Sequence, residues 1–464
     1  MSPTSESPGR AIAVMRVIMR SLISRTTIIF MIVAMLCALT LTAFIPQRFA
    51  TTTEDMVKWQ AAHPNINSWA DILGLYRIYT HPLFALILTG VVTALSISAW
   101  NQCAAAWRRT FAWNRSDSAV DLFETSASSE AIGQCLAGRG FLRLNERGGV
   151  VLMVRHPWGY WGNALLHLGM MTVIAASLLV ALTQRYGIVQ ISSGFKQLPD
   201  EPLLAEEHGM LAGPLKLAEA IRMDHIAYSF RPDTYGLQSL VSTVSFLSPT
   251  GPVDTKKVEI NSILHHKGVR YYQGVEFGHA FFVEISGPSG QTEKLQLLMR
   301  HPKTPDQASY DTLKDLLGDG YVLKAKYVVN QEMKSFDRVD PLLTLRIDQN
   351  SNEVGRLTLK TGGEGLIGLH KIRLVGFESW SRLIIADITG LPGVFFGFII
   401  ICLGGFLHYF TPPQEITLRW NSGACTLAWR AVRFAGLYRN EYEQMRESLG
   451  GRVIVYQGEE DRHG

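Results

Sequence analysis

The sequence predicts a membrane α-helical protein of four transmembrane helices that carries one large extracytoplasmic antiparallel β-rich domain. Three observations predict it: four apolar blocks free of Asp, Glu, Lys and Arg, arginines gathered in alternate loops, and a long loop after the third block in which apolar and polar residues alternate. The apolar fraction of 47% would suit a soluble chain, but its concentration in blocks excludes that class.

In chain order, residues 1–26 are a cytoplasmic N-terminus, where Arg10, Arg16, Arg20 and Arg25 outweigh a single acid, Glu6. Residues 27–45 are the first span. This block is too long for the apolar core of a signal peptide, and no small-residue cleavage site follows at Pro46 and Gln47, so it reads as a retained anchor. Residues 46–82 are an outer loop, and 83–102 the second span, whose apolar run from Leu83 to about Ala99 is the shortest of the four, with Asn101 and Gln102 marking its inner end. Residues 103–159 carry Arg108, Arg109, Arg115, Arg139, Arg143, Arg147 and Arg155 and form a small cytoplasmic α/β segment, with a helix from Ser129 to Leu136 and a hairpin from Phe141 to Val154. The third span is 160–182 and the fourth 391–410; at about 1.5 Å per residue each crosses a hydrocarbon core about 30 Å thick. Residues 411–464, with Arg419, Arg430, Arg433 and Arg439, are a cytoplasmic tail. The location expected is the inner (plasma) membrane, multi-pass, with both termini inside.

Residues 183–390 are the outer domain. Leu343 to Asp348 and Phe281 to Ser286 alternate in strand fashion, and shorter runs at 241–247, 269–273, 294–299, 321–329, 353–359 and 372–377 do the same, which predicts an antiparallel sandwich or open barrel. One helix is expected at 310–317, where Tyr310, Leu313, Leu316 and Leu317 would share a face.

Several function classes fall away. All five cysteines, Cys37, Cys103, Cys135, Cys402 and Cys425, lie in spans or on the inner side, so the outer domain performs no thiol chemistry of its own. Asp121, Glu124 and Glu130 among the scattered arginines argue against nucleic acid as a partner. No hydrolase, zinc-protease, phosphate-loop or dinucleotide motif occurs, and the outer histidines His208, His225, His265, His266 and His279 match no zinc spacing.

His167 stands out because an ionisable ring inside a span needs a partner. That partner is either haem iron, for which imidazole is a frequent axial ligand, or a Ser, Asn or backbone carbonyl of a neighbouring helix. His408, near the inner end of the fourth span, is a weaker candidate because it can reach the headgroups. Both fall in the inner half of the bilayer, a placement that admits a shared ligand. Trp158, Tyr160, Trp161, Tyr409 and Phe410 read as interfacial anchors among membrane lipid.

With these residues in view the chain resembles the ResB (CcsB) family of System II cytochrome c biogenesis. The resemblance rests on three spans, an outer β domain and a fourth span, on His167 followed by Leu168, on Lys267-Gly268-Val269-Arg270-Tyr271-Tyr272-Gln273-Gly274, and on Leu391-Pro392-Gly393-Val394 opening the last span. It implies a non-catalytic subunit of a cytochrome c haem lyase that works with a CcsA/ResC-type partner to carry haem outward. His167 would ligate that haem transiently, apocytochrome c would be presented by the outer domain, and a thioredoxin-like thiol reductase would prepare its cysteines. The alternative is a membrane scaffold that recruits outer partners and binds no haem.

Overall fold

A computed structural model describes residues 21, 24–112, 121–248, 253–287, 291–314, 321–336, 338–350, 352–421 and 423–453. Four helices, α1 (Arg25–Phe44), α2 (Pro82–Phe111), α3 (Gly162–Thr183) and α4 (Leu391–Phe410), are long and apolar enough to cross a membrane. A helix satisfies every backbone N–H and C=O internally, which lipid requires. Helix α2 is the longest, not the shortest. It passes Asn101 and Gln102 and runs on to Phe111, because the helix formers Ala104 to Ala106 follow with no Gly or Pro, and Arg108 and Arg109 suit the negative end of its dipole.

The chain divides into two compact units, one of residues 1–40, 82–180 and 390–464, the other of 41–81 and 181–389. In the first, α3 and α4 pack along a seam of small residues. Gly162, Gly169 and Ala176 recur every seven residues on one side, Gly404, Gly397 and Gly390 on the other. A Cβ on Gly169 would stand 2.7 Å from the Ile401 nitrogen, and one on Gly404 2.6 Å from the Leu166 nitrogen, so only hydrogen fits at either place.

The same unit contains a six-stranded antiparallel sheet in the order Leu142–Arg147, Val150–Arg155, Gln414–Asn421, Ala424–Ala431, Asp121–Thr125, Arg452–Val453. Helices Ser129–Gly138 and Arg439–Ser448 bury Ile132, Leu136, Tyr442 and Met445 against Phe123, Ile416, Leu427 and Trp429. The stretch after α4, expected as a tail, therefore supplies the centre of a domain. Its first strand alternates Ile416 and Leu418 inward, and the second does so with Leu427 and Trp429.

The second unit is built around two long paired strands, Val269–Ser286 and His370–Asp387. One half of this pair packs, with Arg185–Ser192, against the sheet of Ala220–Phe230, Leu237–Leu247 and Asp254–Glu259 through Val189, Met223, Val244, Phe246, Leu383 and Ile385. The other half packs, with Thr292–Arg300, against the sheet of Ser309–Lys314, Tyr321–Val328, Leu342–Gln349 and Asn352–Leu359 through Phe281, Leu297, Leu323, Leu345 and Leu374. The expected sandwich is thus two sandwiches in succession on shared strands. The helix expected at 310–317 is instead the strand Ser309–Lys314, laddered to Tyr321–Val328. Tyr310, on the face such a helix would bury, is 71% exposed, and Leu316 and Leu317 lie outside the described residues. Cross-strand pairing outweighs a short helical period here.

The seam makes a direct prediction. Gly169→Leu is expected to cost about 1–3 kcal/mol, seen as a lower melting temperature in detergent. Gly405→Leu, whose Cβ meets Leu166 only at 3.9 Å, should change it by less than about 0.5 kcal/mol.

Candidate functional site

His167 sits on α3 five residues beyond Gly162, which at about 100° per residue turns it roughly 140° from the α4 seam. There it meets α2, with Ser98 Oγ 3.2 Å from His167 Nδ1. The ring is partly buried, and among the described residues nothing bonds its Nε2. This is an imidazole held through one nitrogen with the other unbonded among the described residues, an arrangement that metal-binding histidines share. It is also what a histidine satisfied by a neighbouring helix looks like. The residues present fit one axial bond to haem iron; among them no second ligand faces His167.

His408 lies at the end of the seam, where a Cβ on Gly162 would come within 2.5 Å of its nitrogen. Its carbonyl accepts Arg433 Nη1 at 3.0 Å, its ring lies 4.8 Å from that of Tyr409, and its enclosed Nδ1 has no hydrogen-bond partner. His167 turns toward Ser98 of α2 and His408 sits against Gly162 at the α3–α4 seam, and no hydrogen bond or ring contact among the described residues joins the two. Tyr160, read from the sequence as an interfacial anchor, is enclosed instead: it packs on Ala106, Val154 and Ala164 and donates to Glu415 Oε1 at 2.6 Å.

In the second unit the polar centre is His279, fully buried where the two sandwich cores meet. Its Nδ1 lies 2.6 Å from the Tyr327 hydroxyl and its Nε2 3.3 Å from that of Tyr228. The His301 ring stands 5.9 Å away, in a box of Phe230, Phe277 and Phe336; its Nδ1 is 2.9 Å from the Pro302 carbonyl and its enclosed Nε2 has no partner. Sequence reading passed over this group. The signal was the alternation of Phe277, His279, Phe281 and Val283, which puts His279 on an inward face. Among the described residues no three His, Cys, Asp or Glu gather as a metal site, and the five cysteines are free.

The stretch 267–274 is a hairpin and the start of a bulge. Lys267 and Gly268, at φ 46° and 81°, make the turn, and Lys267 Nζ reaches Glu219 at 2.6 Å. His266 bonds the same carboxylate at 3.0 Å and stacks on Phe246, while His265 is exposed. Tyr271 is buried in the core, and Gln273 Nε2 donates to the Gly274 carbonyl at 3.1 Å beside the register shift that ends at Phe277.

The pattern of the ResB-like family matches residues 24–363, well over half of the chain. The chain belongs to the ResB-like family. It is similar to proteins described as cytochrome c biogenesis protein CcsB from Trichormus variabilis and from a Nostoc species, each 24% identical over 362 residues, which cover 74% of this chain and 72% of the relative. Within this ResB-like chain His167 and the 267–274 hairpin fall inside the matched stretch, whereas α4 with His408 and the late strands of the six-stranded sheet fall beyond it.

The histidine pair makes acid stability testable. Burial, and for His279 the neighbouring His301, pushes their pKa values down, to about 3 for His279 and about 4 for His301. Each is depressed from about 6.5 in the unfolded chain, so the stabilisation from a neutral ring is complete above that pH and lost as the pH falls toward 4 and below. Each ring contributes at most about 1.4 kcal/mol per pH unit in that window. Glu219, held down to about 2 by its bonds to His266 and Lys267, acts in the same direction in a lower window, below about 4.5. Melting temperatures of the full chain in detergent should fall between pH 6.5 and 4, and less steeply in His279→Leu; an unchanged slope would remove the histidines as the cause.

Proposed function

We propose that this chain is a cytochrome c biogenesis protein, the ResB-type subunit of a membrane haem lyase. The observation that carries the reading is His167, held by Ser98 with Nε2 left over inside a spanning helix. With Nδ1–H donating to Ser98, Nε2 presents its lone pair, and haem iron is the partner that family membership suggests for it. A CcsA/ResC-type protein would supply the second axial ligand, a thioredoxin-like reductase the reduced acceptor thiols, and the second unit the surface that holds apocytochrome c. His408 has no part in this reading.

The orientation we infer has the second unit outside the cell membrane's inner face and both termini in the cytoplasm. Two observations support it. Strands from 121–155 and 414–453 interleave in one sheet, which requires these segments to share a side, and residues 41–81 form one unit with 181–389. The arginines before α1, between α2 and α3 and after α4 then set the sign. The second reading, a scaffold without haem, is favoured by the same Ser98 bond, because that bond alone satisfies one nitrogen.

Co-purification with a CcsA-type partner separates the two. His167→Ala should remove the axial-ligand signature from the haem spectrum and abolish cytochrome c maturation, and Ser98→Ala should weaken haem retention about 10–100-fold. His408→Ala should leave both intact. A haem spectrum and maturation unchanged in His167→Ala would leave the scaffold.

A further inference from the structure

The C-terminal end of α2 and the turn before α3 enclose a slot of about 360 Å³ lined by Trp100, Cys103, Ala104, Trp107, Arg108 and Trp161. Its five α2 residues recur at three- and four-residue intervals and so form one stripe. Trp100 is 75% exposed and Trp107 58%, so most of the surface of these indoles is left uncovered in their own unit. The Trp107 and Trp161 rings meet edge-on at 6.4 Å and make one wall. Among the described lining residues Arg108 alone is charged, and no ion pair among the described residues engages it. More positive charge gathers at this end: Arg109 and Arg430 lie beside Tyr160, and Arg433 beside Arg109. Glu415, which accepts the Tyr160 hydroxyl and lies opposite Arg430 in the sheet, keeps its negative charge and offsets one of these cations.

We propose that this slot is a binding site for an anionic phospholipid, with an acyl chain against the indoles and the phosphate on Arg108. The slot begins where α2 passes from its apolar run into Asn101 and Gln102, the level at which headgroups replace hydrocarbon. Indoles and guanidinium are the two side chains suited to that boundary, and the surrounding arginines select a headgroup with net negative charge over a zwitterionic one. The site is independent of haem: it uses neither His167 nor Ser98, though Ser98 stands two residues before Trp100 on the same helix.

The test is retention of lipid by the full chain, purified from vesicles of phosphatidylcholine with phosphatidylglycerol and examined by native mass spectrometry. The wild type should keep phosphatidylglycerol in preference to phosphatidylcholine. Arg108→Gln should keep it about fivefold less well, and Cys103→Trp, which fills the slot, should lose it. Arg147→Gln removes the same charge from an exposed hairpin end and should behave like the wild type. Should Cys103→Trp fail to fold, Arg108→Lys decides, since it keeps the charge and should restore retention. Equal losses in Arg108→Gln and Arg147→Gln, equal retention of the two lipids, or haem found in place of lipid would each overturn the proposal.

Discussion

The membrane part of this protein depends on two helix backbones being allowed to touch. Along α3 and α4 glycine and alanine face one another at seven-residue spacing, and a side chain at Gly169 or Gly404 would strike the opposite backbone. In lipid there is no hydrophobic force to bring helices together, so close van der Waals contact of this kind is the available glue. The seam also fixes which way His167 points. With one face of α3 given to α4, His167 is turned toward α2 and Ser98. The chain that leaves α3 and returns to α4 then opens and closes the second unit with paired residues, Arg185 opposite Asp387.

The four spans and most strands were legible because each is a local property: an uninterrupted apolar run, or a period of two. Val241 to Leu247, Leu343 to Asp348 and the others fall inside strands, except that Val329 lies one residue past the end of Tyr321–Val328. What could not be read was the joining of distant pieces. The strand Gln414–Asn421 alternates as clearly as any in the outer domain, yet its partner Val150–Arg155 lies far back in the sequence, on the other side of two spans. The extent of α2 was misjudged for another reason: Asn101 and Gln102 mark a change of solvent, and a helix does not have to stop where its solvent changes.

The candidate site divides in the same way. A histidine in a span is conspicuous, and His167 could be singled out without any structure; that its neighbour is Ser98 could not. His279 was overlooked among other histidines because burial is a property of the assembled strands. It lies where the long strand Val269–Ser286 passes from one core to the next, between two irregularities in its pairing with His370–Asp387. A purely apolar residue there would leave the Tyr228 and Tyr327 hydroxyls without a ring to bond, so the two cores are joined by a polar contact that apolar packing encloses.

The order of strands in the six-stranded sheet has a consequence for how the protein is made. Asp121–Thr125 and Val150–Arg155 leave the ribosome early, but neither pairs with the other; the hairpin of Gln414–Asn421 and Ala424–Ala431 slots between them. Throughout the synthesis of everything in between, the early strands wait with open edges. Closure of this sheet therefore reports that translation has run past the last span, and a product cut short before it would be left with the unpaired edges by which chaperones and proteases know an unfinished chain.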